Sequence, residues 1–189
     1  MKFHRHFLLV DTPGHGKLRH FAINNISKPQ HLKGVIFLVD AATLSSTSGE
    51  TGDGSLTETA DYLHDLLLTL QKLATTGKAG KANAKMPLLI AANKLDLFTA
   101  LPTKLVKANL EAEISKLRSS KSKGLLDSGI GMDDDLEERE VLGGAGEGKF
   151  DFSLMEEYNI SVDVAGGNVL SADGAADVQA YWDWIGQHL

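Results

Sequence analysis

The chain has 189 residues, 42% apolar and 23% charged, which fits one globular domain and neither a fibrous nor a disordered protein. Asp and Glu outnumber Lys and Arg by 25 to 19, and the formal net charge of -6 argues against direct binding of nucleic acid. The absence of cysteine excludes disulfides and cysteine-based zinc sites. No apolar run reaches the roughly 20 residues of a membrane-spanning helix, and the first residues do not resemble a signal peptide. We therefore expect a soluble domain that faces the cytosol.

Four short apolar runs have the pattern of β-strands. The first three are continuously apolar, which is typical of strands buried on both faces of a parallel sheet. The fourth alternates apolar and polar residues, which is typical of a less buried strand. In chain order the runs are residues 7–10, 35–39, 88–92 and 160–164.

Three other segments have the period of an amphipathic α-helix. In chain order these segments are residues 56–74, 106–117 and 178–189. Ser55 and Glu58 have the spacing of a capping box, which places the start of the first helix. In the last helix Trp182 lies on the apolar stripe and is expected in the core, whereas Trp184 lies off it and is expected to face solvent or a partner. The alternation of strands and helices predicts a three-layer α/β fold.

Two segments fit neither pattern. Residues 45–55 contain no large apolar side chain, which predicts a flexible loop. Residues 119–149 pass from a Ser/Lys-rich part through an acidic run at 133–140 to a Gly-rich part. This segment has too few apolar residues to offset the entropy of ordering it, so we interpret it as a disordered insertion within the domain.

The first chemically distinctive motif directly follows the run at 7–10 and reads Asp11, Thr12, Pro13, Gly14 and His15. Ligands in open α/β sheets bind at the carboxyl ends of the strands. There an Asp can hold a hydrated Mg²⁺, a Gly amide can approach a terminal phosphate, and the next side chain can orient water. Asp, Pro and Gly are also common turn residues, so this motif alone leaves an ordinary turn open.

The second motif, Asn93-Lys94-Leu95-Asp96, follows the run at 88–92. The carboxylate of Asp96 can accept two hydrogen bonds from the N1–H and the exocyclic amine of guanine, and adenine offers no such pair of donors. Asn93 can bond to nearby base and loop atoms, and the stem of Lys94 can lie over the base plane. Both motifs at successive strand ends, in this order, predict a guanine nucleotide site.

Together the two motifs resemble the Asp-x-x-Gly and Asn-Lys-x-Asp elements of GTP-binding domains. The chain is further similar to the beta subunit family of signal recognition particle receptors. This similarity implies a three-layer Ras-like P-loop GTPase fold with a mainly parallel sheet. Apart from the two loops it extends over nearly the whole chain, and the segments that carry it are residues 11–15, 18–19, 35–40, 89–94, 105–118, 150–152, 176–179 and 184–185.

The resemblance also implies roles for individual residues. It implies GTP and Mg²⁺ as cofactors, with Asp11 holding Mg²⁺ through water and His15 in the position of the residue that orients the attacking water. The family's guanine-contacting Ser-Ala-Lys loop falls at residues 164–167, where this chain has neither Ser nor Lys, so only a backbone contact near Ala165 is implied. The other residues implied to bind the nucleotide are Gly14, Asn93, Lys94 and Asp96.

The family resemblance implies a cellular setting as well. The GTP-bound domain would dock the N-terminal domain of the receptor's alpha subunit at the cytosolic face of the endoplasmic reticulum membrane, for cotranslational targeting. Ribosome and signal recognition particle would be bound only indirectly, with no direct contact to nucleic acid. A membrane anchor would lie upstream of Met1, and this chain alone would be soluble and cytosolic.

In a GTP-binding domain a strand, a P-loop, a helix and a switch loop should precede Asp11. In this chain only residues 1–10 precede it, which is too few for these elements. We therefore expect a partial GTP-binding domain, in which residues 7–10 and 35–39 pair directly or stability is low. Residues 143–149 have the P-loop spacing, but Phe150 replaces its Ser or Thr and no strand precedes them, which favours a flexible linker.

Two alternatives stay open at this point. The chain could be a GTPase-like interaction module that has lost nucleotide binding, or a fragment of a translation-factor-type GTPase. The second class shares Asp-x-Pro-Gly-His but continues into β-barrel domains. Without the upstream P-loop, binding of GTP and Mg²⁺ is expected to be weakened or lost, and hydrolysis of GTP by this chain is doubtful.

Overall fold

The computed structural model describes residues 6–27, 32–45, 55–76, 85–127, 141–144, 148–170 and 174–189. Within these residues three parallel strands form one sheet in the order β1–β2–β3. The strands are β1 at Val35–Asp40, β2 at Met86–Asn93 and β3 at Ile160–Gly166. Asp40 pairs with Asn93 and Gly166 with Ala92, so the carboxyl ends of all three strands lie at one edge. The parallel sheet expected from the last three apolar runs is confirmed.

Helices occupy most of the remaining described chain. Short 3₁₀ helices occur at Gly16–Leu18, Thr43–Ser45 and Phe152–Tyr158. The α-helices are α1 at His20–Ile26, α2 at Ser55–Thr75, α3 at Thr103–Asp127 and α4 at Gln179–His188.

β2 is the central strand, and both of its faces are covered. Leu88, Ile90 and Ala92 belong to the main core, which α2, α3 and the 3₁₀ helix Phe152–Tyr158 complete. Leu89 and Ala91 belong to a second cluster on the opposite face, which α4 completes. A strand whose successive side chains are all buried needs a helical layer on each side. The three-layer α/β fold is therefore confirmed.

Residues 7–10 were expected to form a buried strand, and this prediction is wrong. The segment has no strand hydrogen bonding, and the exposed fractions of Phe7, Leu8, Leu9 and Val10 are 41, 86, 69 and 58%. Nor does it pair with β1, which is an edge strand with no other described strand on its outer side. Without a neighbouring ladder to accept its backbone groups, an apolar run gains nothing from a strand conformation.

The two tryptophans of α4 have exchanged the places that the helical stripe predicted. Trp184 is buried against the second cluster and donates from Nε1 to Asp163 Oδ2 at 2.9 Å. Trp182 is 56% exposed and meets the ring of Phe7 edge-on at 6.4 Å between centroids. The buried stripe contains Tyr181 and Trp184, so the helix is rotated from the expected phase.

The predicted insertion at 119–149 differs from expectation at both ends. Helix α3 continues through it to Asp127, and the turn at 141–144 packs onto the core with Leu142 fully buried. Gln71 of α2 holds that turn, because its Nε2 donates to the Val141 carbonyl at 3.0 Å and its Oε1 accepts from the Gly143 amide at 2.8 Å. The acidic run at 133–140 and most of the loop at 45–55 lie outside the described residues.

Candidate functional site

The carboxyl ends of the three strands bring polar and glycine residues together at one edge of the sheet. β1 ends at Asp40, β2 ends at Asn93 with Lys94 following, and β3 ends at Gly166. The backbone crosses between the strands here, since the Ala41 amide donates to the Asn93 carbonyl at 3.0 Å. This edge is the position at which open α/β sheets bind their ligands.

Asn93 joins β2 to the loop after β3. Its Oδ1 accepts a hydrogen bond from the Val169 amide at 3.0 Å. Beside it, the Gly167 amide donates to the Ala92 carbonyl at 3.0 Å, and the Leu95 amide donates to the Gly167 carbonyl at 3.2 Å. The Asn93 side chain therefore fixes the loop after β3 and keeps its Nδ2 group available as a donor.

Lys94 joins β2 to β1. Its backbone is left-handed, with φ at 65°, and its Nζ forms an ion pair with Oδ2 of Asp40. Desolvation opposes ionisation of Asp40, but the hydrogen bonds from Lys94 and from the Ala42 amide outweigh it and hold the pKa of that carboxyl below its usual value. The Asp40 carboxylate is therefore charged at neutral pH and retains the Lys94 ammonium.

Asp96 is the carboxylate of this edge that stays open. It is exposed, and it forms no hydrogen bond to any residue in the described part of the chain. The turn that carries it is closed by hydrogen bonds from the Leu97 amide to the Lys94 carbonyl at 3.1 Å and from the Ala100 amide to the Leu97 carbonyl at 2.9 Å. A charged acceptor with free lone pairs on a fixed turn suits a ligand with two adjacent N–H donors.

Two glycines allow the loop after β3 to approach the second motif. A Cβ at Gly166 would collide with Leu95 Cδ1 and lie 2.6 Å from Thr103 Cγ2. A Cβ at Gly167 would collide with the Asp177 carbonyl. The structure places Ala165 inside β3, paired with Ala91, so the loop residues next to Asn93 are those from Gly167 to Val169 rather than Ala165.

The Asp11–His15 motif forms an exposed loop that Arg19 holds against α2. The Arg19 Nε donates to the Gly14 carbonyl at 3.4 Å, and Nη2 donates to Glu58 Oε1 at 3.0 Å. Its guanidinium also lies 4.6 Å from the centre of the Tyr62 ring. Glu58 thus pairs with Arg19. The capping-box spacing gave Glu58 a role only at the start of α2 and did not predict this pairing.

Within this loop, His15 caps its own turn. Its Nδ1 accepts from the Lys17 amide at 3.3 Å, and its carbonyl accepts from the Leu18 amide at 2.7 Å. A Cβ at Gly14 would meet no atom within 4 Å, so the Gly14 backbone faces open space. Asp11 is exposed and has no hydrogen bond to the described residues.

The residues expected from the sequence fall into two groups. Asn93, Lys94 and Asp96 lie on one turn at the sheet edge, whereas no hydrogen bond or ion pair between described residues joins that turn to Asp11, Gly14 and His15. Three further residues build the site, namely Asp40, Val169 and Arg19. Asp40 could have been found as the polar residue that ends an apolar strand. Arg19 is recognisable in the sequence as a cation just after the first motif, in the region that partners would read. The amide of Val169 has no sequence signal.

A divalent cation would find few protein ligands here. Within the described ranges no group of three or more His, Asp or Glu side chains could hold a metal ion. Mg²⁺ needs no such group, because it keeps several waters and binds one or two carboxylates together with substrate phosphates. The open carboxylate of Asp11 fits that mode, but Asp11 alone is a weak site. No helix in the described part of the chain is both long and apolar enough to cross a membrane.

A family model described as the signal recognition particle receptor beta subunit matches residues 3–159. The signal recognition particle receptor subunit beta of Saccharomyces cerevisiae is 35% identical over 118 residues, which are 62% of this chain and 42% of the yeast protein. The same subunit of Mus musculus is 27% identical over 180 residues, which are 94% of this chain and 57% of the mouse protein. The chain thus spans about half the length of these curated relatives.

Solved structures agree with the sequence comparisons. The Chaetomium thermophilum receptor structure SRb-GDP-Mg has a TM-score of 0.79 and 38% identity, covering 97% of this chain and 80% of that one. The SRb-GTP/SRX complex from the same organism has a TM-score of 0.76 and 36% identity, covering 95% and 66%. The mammalian receptor structure, at 24% identity and a TM-score of 0.63 over 94% of this chain and 71% of that one, shares the fold.

Proposed function

Because the chain belongs to the signal recognition particle receptor beta subunit family, we propose that it binds a guanine nucleotide. We propose further that its GTP-bound form docks the N-terminal domain of the receptor's alpha subunit at the endoplasmic reticulum membrane. One observation carries the first part: the open carboxylate of Asp96 stands on a turn that Lys94 ties to β1 and Asn93 ties to the loop after β3. The family match sets aside the translation-factor alternative.

The proposed selectivity for guanine follows from the donors and acceptors at this turn. The Asp96 carboxylate would accept hydrogen bonds from N1–H and from the exocyclic amine, and adenine has an acceptor at the first position and no amine at the second. Nδ2 of Asn93 would donate to the base or to a phosphate-side loop. Inosine, which lacks the exocyclic amine, would lose one of the two bonds to Asp96.

The phosphates would lie toward the Asp11–His15 loop. There Asp11 would hold Mg²⁺ through water and the Gly14 amide would approach the terminal phosphate, with Mg²⁺ neutralising phosphate charge. Since Nδ1 of His15 already accepts from the Lys17 amide, a neutral ring carries its proton on Nε2. His15 would then orient a water by donating to it and would not act as its general base.

The surface proposed for the alpha subunit is the loop that Arg19 ties to α2. Leu18 and Phe21 next to this loop are 38 and 49% exposed, which gives a partner apolar area beside the phosphate-side residues. The similar SRb-GTP/SRX structure is a complex of the related beta subunit with GTP bound. A loop that contacts both the phosphate and the partner would make docking depend on the nucleotide.

A second candidate is an interaction module that docks the same partner without nucleotide. It is favoured by the place of Gly143 in the structure. The glycines of the P-loop-like stretch begin in a turn that Gln71 holds against the core, and none of the three described strands directs them toward the Asp11–His15 loop.

Titration with a fluorescent GDP analogue and Mg²⁺, followed by competition, tests nucleotide binding. We expect GDP and GTP to displace the probe, ADP to fail, and Asp96→Ala to weaken binding by about 10- to 100-fold because two charge-assisted hydrogen bonds are lost. Glu157→Gln removes an exposed carboxylate from the 3₁₀ helix Phe152–Tyr158 and should leave the affinity unchanged. The nucleotide proposal would be refuted if Asp96→Ala bound as tightly as the unmodified chain. It would also be refuted if the unmodified chain bound no nucleotide at about 100 μM, a dissociation constant that corresponds to roughly 5 kcal/mol of binding free energy.

Docking is tested separately with the purified N-terminal domain of the alpha subunit. Binding that requires GTP supports the regulated receptor subunit, and equal binding with GTP, with GDP and without nucleotide supports the interaction module. Failure to bind under all three conditions contradicts both.

A further inference from the structure

Lys94 holds an unusual backbone conformation beside the proposed base site. Its φ of 65° is in the left-handed region, which a residue with a Cβ adopts at a cost. Such a conformation persists where the surroundings fix it, and two contacts do so here. Within the described residues, the Leu97 amide donates to the Lys94 carbonyl at 3.1 Å, and the Lys94 ammonium binds the Asp40 carboxylate.

Asp40 is itself held in place. Its Oδ1 accepts from the Ala42 amide at 3.0 Å, and its carbonyl accepts from the Thr43 hydroxyl at 3.1 Å. The Lys94 ion pair uses the other oxygen, Oδ2. The side chain of Asp40 is 28% exposed and that of Lys94 is 50% exposed. A carboxylate fixed at one oxygen by its own turn gives the ammonium one defined position.

From this arrangement we infer that Asp40 is a positioning residue for base recognition: by holding Lys94 across the ends of β1 and β2, it fixes the turn that presents Asp96. The inference rests on the proposed binding of guanine nucleotide and adds a residue from a neighbouring strand to that site. Asn93 fixes the same turn from the other side, through the Val169 amide. The base-reading turn is thus tethered to β1 and to the loop after β3 at once.

The chain offers a control for the Asp40–Lys94 pair, namely an exposed Lys–Asp ion pair in another part of the fold. Lys121 Nζ lies 3.2 Å from Asp61 Oδ1, with side-chain exposures of 44 and 41%. This pair joins α3 to α2 away from the sheet edge. Lys121 Nζ also lies 3.2 Å from Asp65 Oδ1, and exposed pairs of this kind contribute little to stability. Asp61→Asn therefore removes one carboxylate–ammonium contact where no turn depends on it.

The test compares Asp40→Asn, which keeps the size and the Ala42 hydrogen bond, with Asp61→Asn in the full chain. For Asp40→Asn we expect GDP affinity to fall about tenfold, which is the effect that loss of a charge-assisted hydrogen bond produces. The ratio of the affinities for GDP and inosine diphosphate should fall as well. Lys94→Met, which keeps the stem and removes the ammonium, should behave alike, and the double variant should be no weaker than either single one. Asp61→Asn should change affinity by less than about twofold.

A second readout needs no nucleotide. Amide hydrogen exchange at Leu97 and Leu95, which close the turn, should accelerate in Asp40→Asn and not in Asp61→Asn. If the chain binds guanine nucleotides and Asp40→Asn matches Asp61→Asn in affinity and base preference, the inference is overturned while the proposed function stands. If the chain binds no nucleotide, the proposed function fails and the role of Asp40 in base recognition fails with it. Accelerated exchange then supports only the structural part, in which Asp40 holds the turn, and unchanged exchange overturns that part as well.

Discussion

Replacement of Gln71 by Leu tests whether the glycine-rich stretch after the acidic run serves the fold. Gln71 is 1% exposed, and its amide group makes one hydrogen bond in each direction with the backbone of the turn at 141–144. Leu has nearly the same volume, so the core stays filled. The Gly143 amide and the Val141 carbonyl lose their partners.

The expected destabilisation follows from those two bonds. A hydrogen bond contributes about 1 kcal/mol net, and an unpaired buried partner costs about 1–3 kcal/mol. Val141 and Gly143 are only partly buried, so water can replace a share of the lost bonding. We therefore expect Gln71→Leu to lower the free energy of unfolding by about 2–3 kcal/mol, with the Gly143 amide exchanging faster.

Urea denaturation measures this change, and the chain supplies a control. Gln179 is exposed on α4, where its Nε2 donates to Asp183 Oδ1 at 2.7 Å. Gln179→Leu should change the free energy of unfolding by less than about 0.5 kcal/mol. A Gln71→Leu variant as stable as Gln179→Leu would refute the view that Gln71 anchors the turn at 141–144.

The other predictions concern packing and pH. Gly167→Ala should lower stability by about 1–3 kcal/mol because its Cβ would collide with the Asp177 carbonyl. Gly186 in α4 has open space around it, so Gly186→Ala should raise stability by about 0.4–1 kcal/mol. A higher melting temperature for Gly167→Ala than for Gly186→Ala would contradict this packing. Hydrogen bonding from Lys116 holds the pKa of Glu113 below its usual value. The ionised Glu113 therefore adds its full contribution to the free energy of unfolding above an unfolded-state pKa of about 4.3, and this contribution is lost as pH falls through the lower pKa of the folded state. The stability gap between the unmodified chain and Glu113→Gln should therefore shrink between pH 7 and pH 3, and a constant gap in urea titrations would argue against the linkage.

The strands that the sequence predicts correctly are those that have another strand to pair with in the sheet. The apolar runs at 35–39, 88–92 and 160–164 all became strands because β2 lies between the other two and completes their backbone bonding. The run at 7–10 is also apolar but has no described strand beside it, and it stays outside the sheet and exposed. Composition reports that a segment can be buried in a sheet, and pairing decides whether it is.

The phase of α4 could not be read from its apolar residues alone. Both tryptophans can be buried, and the choice depends on Asp163, whose carboxylate on β3 accepts the Trp184 indole N–H. A buried indole needs such an acceptor. The partner lies 21 residues away in sequence, so helical periodicity carries no information about it.

The candidate site shows the same division between local and distant information. The sequence predicts Asn93, Lys94 and Asp96 as base-contacting residues because an Asp carboxylate suits the two N–H donors of guanine, and the structure brings the three residues together on one turn at the sheet edge. Asp40 and the Val169 amide position them, and both lie on other strands or loops whose register is set by tertiary pairing. A motif therefore identifies the groups that would touch the ligand, and the sheet register identifies the groups that hold them. For this chain the second set makes the stronger test, because Asp40→Asn leaves every proposed base-contacting side chain in place.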